Sequence, residues 1–405
     1  MSNSFKVVDM VTKEALRIAH ESLTFIGTVD RQYDDSFKQT GAKIGSTLRV
    51  REPNKYTRRQ GSRVMDVQDQ AETSQTITVA TQDGVDMKFN SAELIQSVNS
   101  GAAFDDLSKN YIEPAVKVLV SGIEADFLAY CTKATANLVG TAGTAITSLS
   151  VPGLARAALN QGLAPKDRRC VQMDSITMSS LVNGVAGYFA PSKDIGDQYR
   201  EGLVSRTAMA DFYENERVWT MPNSADVAGT LDTYTVTEGD TDLTVTGLSA
   251  APVAGMVFTI AGVYDVHPET KQTLSTLKRF VVGTGSTTTT INFTPAFYSS
   301  ASGASQNASA IPATTAAVTF FGALSTNYVQ PIMYHPEAFQ FITADLPLMD
   351  DAQKCVRRVQ DGLSVRVWMG SDIRNDELLM RLDILYGMAA LRPQWACRMI
   401  GAASA

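Results

Sequence analysis

Hydrophobic positions recur at two different periods along this chain, and the places where the period changes divide it. Over residues 5–22, Phe5, Val8, Val11, Ala15, Ile18 and Ala19 follow the spacing of an amphipathic helix, with Asp9 and Glu14 on its more polar side. A second series runs through Leu107, Tyr111, Ala115, Val118 or Leu119, Ile123, Phe127, Cys131 and Leu138, mostly in steps of four. Pro114 fits the first turn of its longer part, where a proline gives up no helical hydrogen bond. From Pro114 to Ala136 the helix would run about 34 Å at 1.5 Å per residue. That length suits a structural spine. After a strand at Arg169–Met173, Ser175 is expected to cap a short helix. Another helical stretch is expected through Cys355 and Val359, after Asp350-Asp351.

Alternation takes over elsewhere. Residues 46–80 read as extended, and Thr76-Ile77-Thr78-Val79 alternates as a strand does. Ahead of it lie Arg49, Arg51, Lys55, Arg58, Arg59 and Arg63, opposed only by Glu52. A long, basic, weakly apolar segment cannot bury itself in its own core. It reads equally well as a solvated hairpin or as an arm that needs a partner surface. Near the other end Met380, Leu382, Ile384 and Tyr386 alternate with Arg381, Asp383 and Leu385, predicting a strand with one buried face.

Composition changes at Pro222. Residues 222–325 hold 20 Thr but only 3 Lys plus Arg and 7 Asp plus Glu. Short β-branched runs recur at 234–237, 243–246, 257–260, 279–282 and 290–293, separated by turn residues. Closely spaced short strands of this kind predict a small all-β sandwich or barrel. Sequence of mixed α/β character flanks it on both sides, so the barrel reads as an insert in a discontinuous host domain.

The whole chain of 405 residues is 44% hydrophobic and 19% charged, enough for a sizeable core in two or three domains. Its net charge of −7 argues against a dedicated nucleic-acid binder, which would carry a basic footprint. Cys131, Cys170, Cys355 and Cys397 lie far apart with no CxxC pair, and read as buried, reduced thiols. The amino terminus lacks the pattern of a signal peptide, and no apolar run is long enough to span a membrane.

The sequence carries no recognisable catalytic signature. His20, His267 and His335 show no metal-ligand spacing, and the last two, each ahead of a proline, read as surface or turn residues. There is no GxSxG elbow and no phosphate loop. Paired carboxylates occur at Asp34-Asp35, Asp105-Asp106 and Asp350-Asp351, and the last two read as structural, at helix starts, where carboxylates favour the dipole. No enzyme, cofactor or metal is expected.

Several stretches, in order, then resemble one family. They are Tyr199-Arg200-Glu201-Gly202-Leu203-Val204-Ser205-Arg206 with Ala210-Asp211-Phe212, then Phe258-Thr259-Ile260-Ala261-Gly262-Val263, then Tyr386-Gly387 with Leu391-Arg392-Pro393. The chain resembles, over nearly its whole length, the coat proteins of short-tailed phages of the Salmonella lambdoid type, a branch of the Hong Kong 97 capsid fold.

The resemblance implies an α+β chain with an N-terminal arm (1–45), an extended β-hairpin loop (46–90), a spine helix with the first part of the peripheral and axial domains (91–221), an inserted β-barrel (222–325) and the second part of those domains (326–405). It implies a major capsid protein that self-assembles into hexamers and pentamers of an icosahedral shell. Its further partners would be a scaffolding protein, a portal protein and, without specificity, packaged double-stranded DNA. The shell would be built in the bacterial cytoplasm and end as the virion capsid. The six basic residues of the extended loop would contact a neighbouring subunit, and Asp9 and Glu14 would contact scaffold. Glu238–Asp242 would be a reduced version of a loop that crosses between capsomers in that family. An encapsulin-like compartment shell is the alternative.

Overall fold

The computed structural model describes residues 23–31, 47–59, 61, 63–65, 67, 73–90, 112–185, 210–223, 228–231, 236–349, 354–360 and 363–403. The expected N-terminal helix, with Asp9 and Glu14, and the Tyr199–Arg206 stretch lie outside the described residues. So do His20, the three aspartate pairs, residues 104–111 of the spine and the first half of the 234–237 run.

In chain order the described elements begin with strands β1 (Thr47–Arg51), β2 (Ser74–Thr78) and β3 (Thr81–Asn90), then helix α1 (Glu113–Ala134). Next come β4 (Leu138–Gly140), α2 (Ser150–Gln161), β5 (Cys170–Met173), α3 (Ser175–Val185), β6 (Asp211–Glu214) and β7 (Thr220–Asn223). A run of strands follows: β8 (Ala228–Leu231), β9 (Asp242–Thr246), β10 (Val257–Val266), β11 (Thr273–Val282), β12 (Thr290–Thr294), β13 (Ala317–Phe320) and β14 (Thr326–Val329). The chain closes with β15 (Ile332–Tyr334), β16 (Phe339–Ala344), β17 (Lys354–Gln360), β18 (Leu363–Asp372), β19 (Glu377–Ala390) and β20 (Ala396–Ile400). They fall into two compact units: residues 1–50, 75–127 and 340–389, and residues 51–74, 128–339 and 390–405.

In the first unit β19 is the central strand. It pairs antiparallel with β18 along one edge and with β3 along Thr81–Asn90, and β16 also joins it. The expected single buried face holds only over Leu379–Leu382; from Asp383 to Gly387 both faces are buried. Tyr386 stacks on Phe341 at 5.5 Å and donates its hydroxyl to Asp83 at 2.6 Å. Burial and that carboxylate push its phenol upward. Gly387 is there because a Cβ would lie 2.5 Å from the Thr78 carbonyl oxygen. The α1 residues Val116, Val120, Ile123 and Phe127 are buried at helical spacing. Phe127 packs between Phe25 at 5.0 Å and Phe341 at 5.2 Å. Buried Glu124 accepts from Thr24 Oγ1 at 2.9 Å and Phe25 N at 2.6 Å, tying residues 24–25 to the helix.

Residues 354–360, expected as helix, form β17. It pairs with β18 from Lys354↔Met369 to Gln360↔Leu363. The signal was Asp361-Gly362, the strongest short-range hairpin marker, which outweighs an ambiguous apolar run. β17 ends its sheet, and Cys355 on it is only half-buried, unlike the other three cysteines.

The second unit holds a five-stranded sheet, in order β4-β20-β15-β5-β6, and a closed barrel, in order β10-β11-β12-β9-β8-β13. One face of the sheet carries Val139, Val171, Met173, Met333, Cys397 and Met399, in one core with Ala155 and Leu159 of α2 and Met178 and Leu181 of α3. The cap of α3 is Asp174, not Ser175: its carboxylate accepts from Thr177 N at 3.0 Å. On the other face Leu138 and Ile400 belong to the barrel's core. That core is aromatic, with Phe258 and Phe280 stacked at 5.6 Å and Phe293 edge-on to Phe280 at 5.1 Å. The register of β10 against β11 shifts around Gly262, whose φ of 81° marks a bulge. Outside the barrel β7 pairs with β14, Asn223 opposite Thr326 and Thr220 opposite Val329.

Candidate assembly surfaces

The basic segment begins as a two-stranded ribbon of β1 and β2. Alternation puts Thr47, Arg49 and Arg51 on its exposed side. Glu52 N donates to the Thr73 carbonyl at 2.9 Å, so the ribbon holds where the strands end. Beyond it the chain leaves regular pairing. Lys55, Arg58, Arg59 and Arg63 are all exposed, and Arg59 Nη1 donates to the Val64 carbonyl. Among these cations stand Tyr56, Val64, Met65 and Val67, the last three 77–79% exposed. All six sequence-selected basic residues are therefore exposed, with apolar side chains interleaved among them along the segment. An exposed segment of this composition is costly to leave in water. The apolar members were not singled out from sequence, although Val64-Met65 beside Arg63 was the readable signal.

Lys55 lies close enough to Lys271 of the second unit to add to what burial does, and the two together hold the Lys271 ammonium below its ordinary value. Lys271 donates to the carbonyls of Ala304 at 2.7 Å and Gln306 at 3.2 Å, which ties down the 300–306 turn.

The Glu238–Asp242 segment is a tight turn leading into β9. Gly239 has φ 87°, and its N–H donates to the Phe297 carbonyl at 2.7 Å. Asp240 accepts from Thr237 N and Oγ1, both at 2.7 Å. Glu238 accepts from Ser299 N at 2.9 Å and from the Ser299 and Ser302 hydroxyls. Burial would raise that carboxyl, but these hydrogen bonds outweigh it and hold it below the usual carboxylate value. Both carboxylates are thus engaged within the barrel.

His335 is not a surface residue. It is 1% exposed, packs edge-on against Trp395 at 5.6 Å and accepts from Glu337 N through Nδ1. His267 makes a similar turn contact, accepting from Thr270 N at 3.2 Å. The thiols of Cys170 and Cys397 are pushed up by burial to about 12, and that of Cys131 is also raised by burial. Thiols held neutral are inert as nucleophiles and ligands. Among the described residues no group of three or more His, Cys, Asp or Glu is placed to hold a metal ion, and no helix is long and apolar enough to cross a membrane.

Residues 215–401, just under half of the chain, match the family model described as P22 coat protein, gene protein 5. The match runs from just ahead of β7 through the barrel to β20. Among solved structures the chain is similar to the capsid of Ralstonia phage GP4, with TM-score 0.50, 8% identity and 93% of this chain covered against 88% of that one. The Mycobacterium phage Che8 structure gives TM-score 0.49 at 10% identity, covering 93% and 90%. The CUS-3 coat protein I-domain is 26% identical over 24% of this chain and 96% of its own, with TM-score 0.20. No curated protein sequence matches significantly. The fold is that of the Hong Kong 97 class of phage capsid proteins, with a small closed barrel inserted.

Proposed function

We propose that this chain is the major capsid protein of a tailed double-stranded DNA phage, and that it builds the icosahedral shell from hexamers and pentamers of itself. The observation that carries this reading is the coat-protein match over residues 215–401 on a chain with the capsid fold. In this reading scaffolding protein organises a procapsid, a portal protein takes one vertex, and packaged DNA touches the inner wall without specificity. Assembly takes place in the host cytoplasm. The shell expands on packaging by rigid-body rotation of subunits.

The exposed strip from Arg49 to Val67 is the part that lies on a neighbour. Its arginines and Lys55 set register against acidic groups, each exposed pair adding only about 0–1 kcal/mol. Val64, Met65 and Val67 add apolar area. Many such modest contacts let errors dissolve during growth, while avidity holds the finished shell. Asp9 and Glu14 are assigned to scaffold contact, and 1–45, 46–90, 91–221, 222–325 and 326–405 to the arm, loop, two-part host domain and insert.

Negative-stain electron microscopy of the protein expressed with and without the scaffold gene tests this. Closed icosahedral shells with scaffold, and aberrant shells or tubes without it, are expected. Soluble monomers under both conditions would overturn the reading. A compartment shell, the alternative, would close without scaffold.

A further inference from the structure

Arg398 is fully buried in the middle of β20, and among the described residues its charge has no partner. Alternation along β20 puts Cys397 and Met399 on the helix-covered face, and Arg398 with Ile400 on the face toward the barrel core. Its Nη1 donates to the Gly255 carbonyl of the barrel at 2.7 Å. Among the described residues its Nε and Nη2 have no hydrogen-bond partner. Those two nitrogens form one edge of the guanidinium, the fork that takes an anion side-on.

A second buried orphan lies close along the neighbouring strand. Ile332 is the cross-strand partner of Arg398, and Gln330 stands two residues ahead of it, just before β15 begins. Gln330 is also fully buried, and among the described residues neither atom of its amide has a partner. Its backbone N–H donates to the Trp219 carbonyl at 3.0 Å. Trp219 in turn borders Gly255, where a Cβ would lie 2.7 Å from its ring. Lys133 lies over that ring at 5.3 Å. The five residues therefore meet at one junction, which holds two cationic groups and, among the described residues, no carboxylate paired with either.

Electrostatics disfavours a junction left without a counter-charge. Burial pushes the Arg398 guanidinium down to about 9, which still leaves it charged at neutral pH. A buried ion without a counter-charge costs several kcal/mol. A water molecule could accept from Nε and Nη2 but would leave the charge uncompensated.

We propose that this junction binds one small monovalent anion of halide size, held side-on by Arg398 Nε and Nη2 and capped by the Gln330 amide N–H. The anion completes the contact between the barrel and the sheet. The inference stands whether or not the chain forms shells.

The test is thermal and chemical unfolding of the full-length chain in potassium chloride against potassium gluconate at equal ionic strength. Above the dissociation constant, each tenfold rise in chloride lowers the unfolding equilibrium constant tenfold in the wild type. Arg398→Met removes that dependence. Equal behaviour of the wild type in the two salts, or equal chloride response in both proteins, overturns the proposal. Should Arg398→Met fail to fold, equilibrium dialysis of the wild type against radioactive chloride decides: one chloride held per chain supports the site, none refutes it.

Discussion

Arg366 of β18 and Asp383 of β19 are direct cross-strand partners, and their side chains meet in the interior, Nη2 to Oδ2 at 2.6 Å. Arg381 takes the other carboxylate oxygen at 2.6 Å. Asp383 is wholly buried, so its charge depends on both arginines. Removing one partner of a buried pair leaves the other uncompensated, at a cost of about 3–5 kcal/mol. Asp383→Ala should show that loss in denaturant unfolding. Arg366→Met/Asp383→Leu should recover much of it, and no recovery would mean that the carboxylate acts through something other than charge.

The barrel's stability rests on its phenylalanines. Phe280 touches Phe258, Phe293 and Phe297, at 5.6, 5.1 and 6.4 Å. Phe280→Ala should cost about 3–5 kcal/mol. The isolated 222–325 segment should melt cooperatively, and the substituted segment at a lower temperature. A disordered circular-dichroism spectrum for the unsubstituted segment would contradict independent folding.

Charge reversal on the exposed strip should separate folding from assembly. Arg58→Glu with Arg59→Glu should leave the monomer within about 0.5 kcal/mol of wild type, as exposed substitutions usually do. Shell yield by sedimentation should fall sharply. Loss of the monomer fold would show that these arginines serve their own chain instead.

His335 gives the pH dependence a sign. Burial lowers its pKa below the ordinary 6.5; the nearby Arg168 and Arg169 also lower it, while Glu337 and Asp167 act the other way. The unfolded chain therefore takes up a proton near pH 6.5 that the folded chain refuses. This contribution to stability is complete above that pH. It is lost as pH falls from 6.5 toward the lower folded value, by at most about 1.4 kcal/mol per pH unit. Thermal midpoints of wild type and His335→Gln should converge in slope above pH 7 and differ between pH 5 and 6.5. Identical slopes throughout would exclude His335 as the source.

What could be read from the sequence was what repeats. The spine's four-residue steps and the β-branched runs of β9 to β12 announced themselves because each is periodic over several residues. The barrel's outer members, Ala228-Gly229-Thr230-Leu231 and Ala317-Val318-Thr319-Phe320, carry too few large β-branched residues to stand out; pairing with each other makes them strands. Residues 354–360 misled because an apolar run is ambiguous until its partner β18 is known. The strip at Arg49–Arg63 was visible as charge, but its exposed Val64, Met65 and Val67 were not, since exposure is a property of the fold. Buried Arg398 and Gln330 left no trace at all: a polar residue in a strand reads as surface until both faces of the sheet are seen to be covered.

The pairing of β7 with β14, and of β8 with β13 just beyond it, has a consequence for how such a chain could arise. The backbone goes out to the barrel and comes back along neighbouring strands, which lie about 4.8 Å apart in any sheet. Cutting away everything between Asn223 and Thr326 and joining the two ends by a tight turn leaves the pairing of the stem intact, while it uncovers Leu138, Arg398 and Ile400 on the host sheet. The same stem could accept a different module whose own termini meet. The barrel is in that sense a graft, and the stem is the natural place to exchange it by recombination.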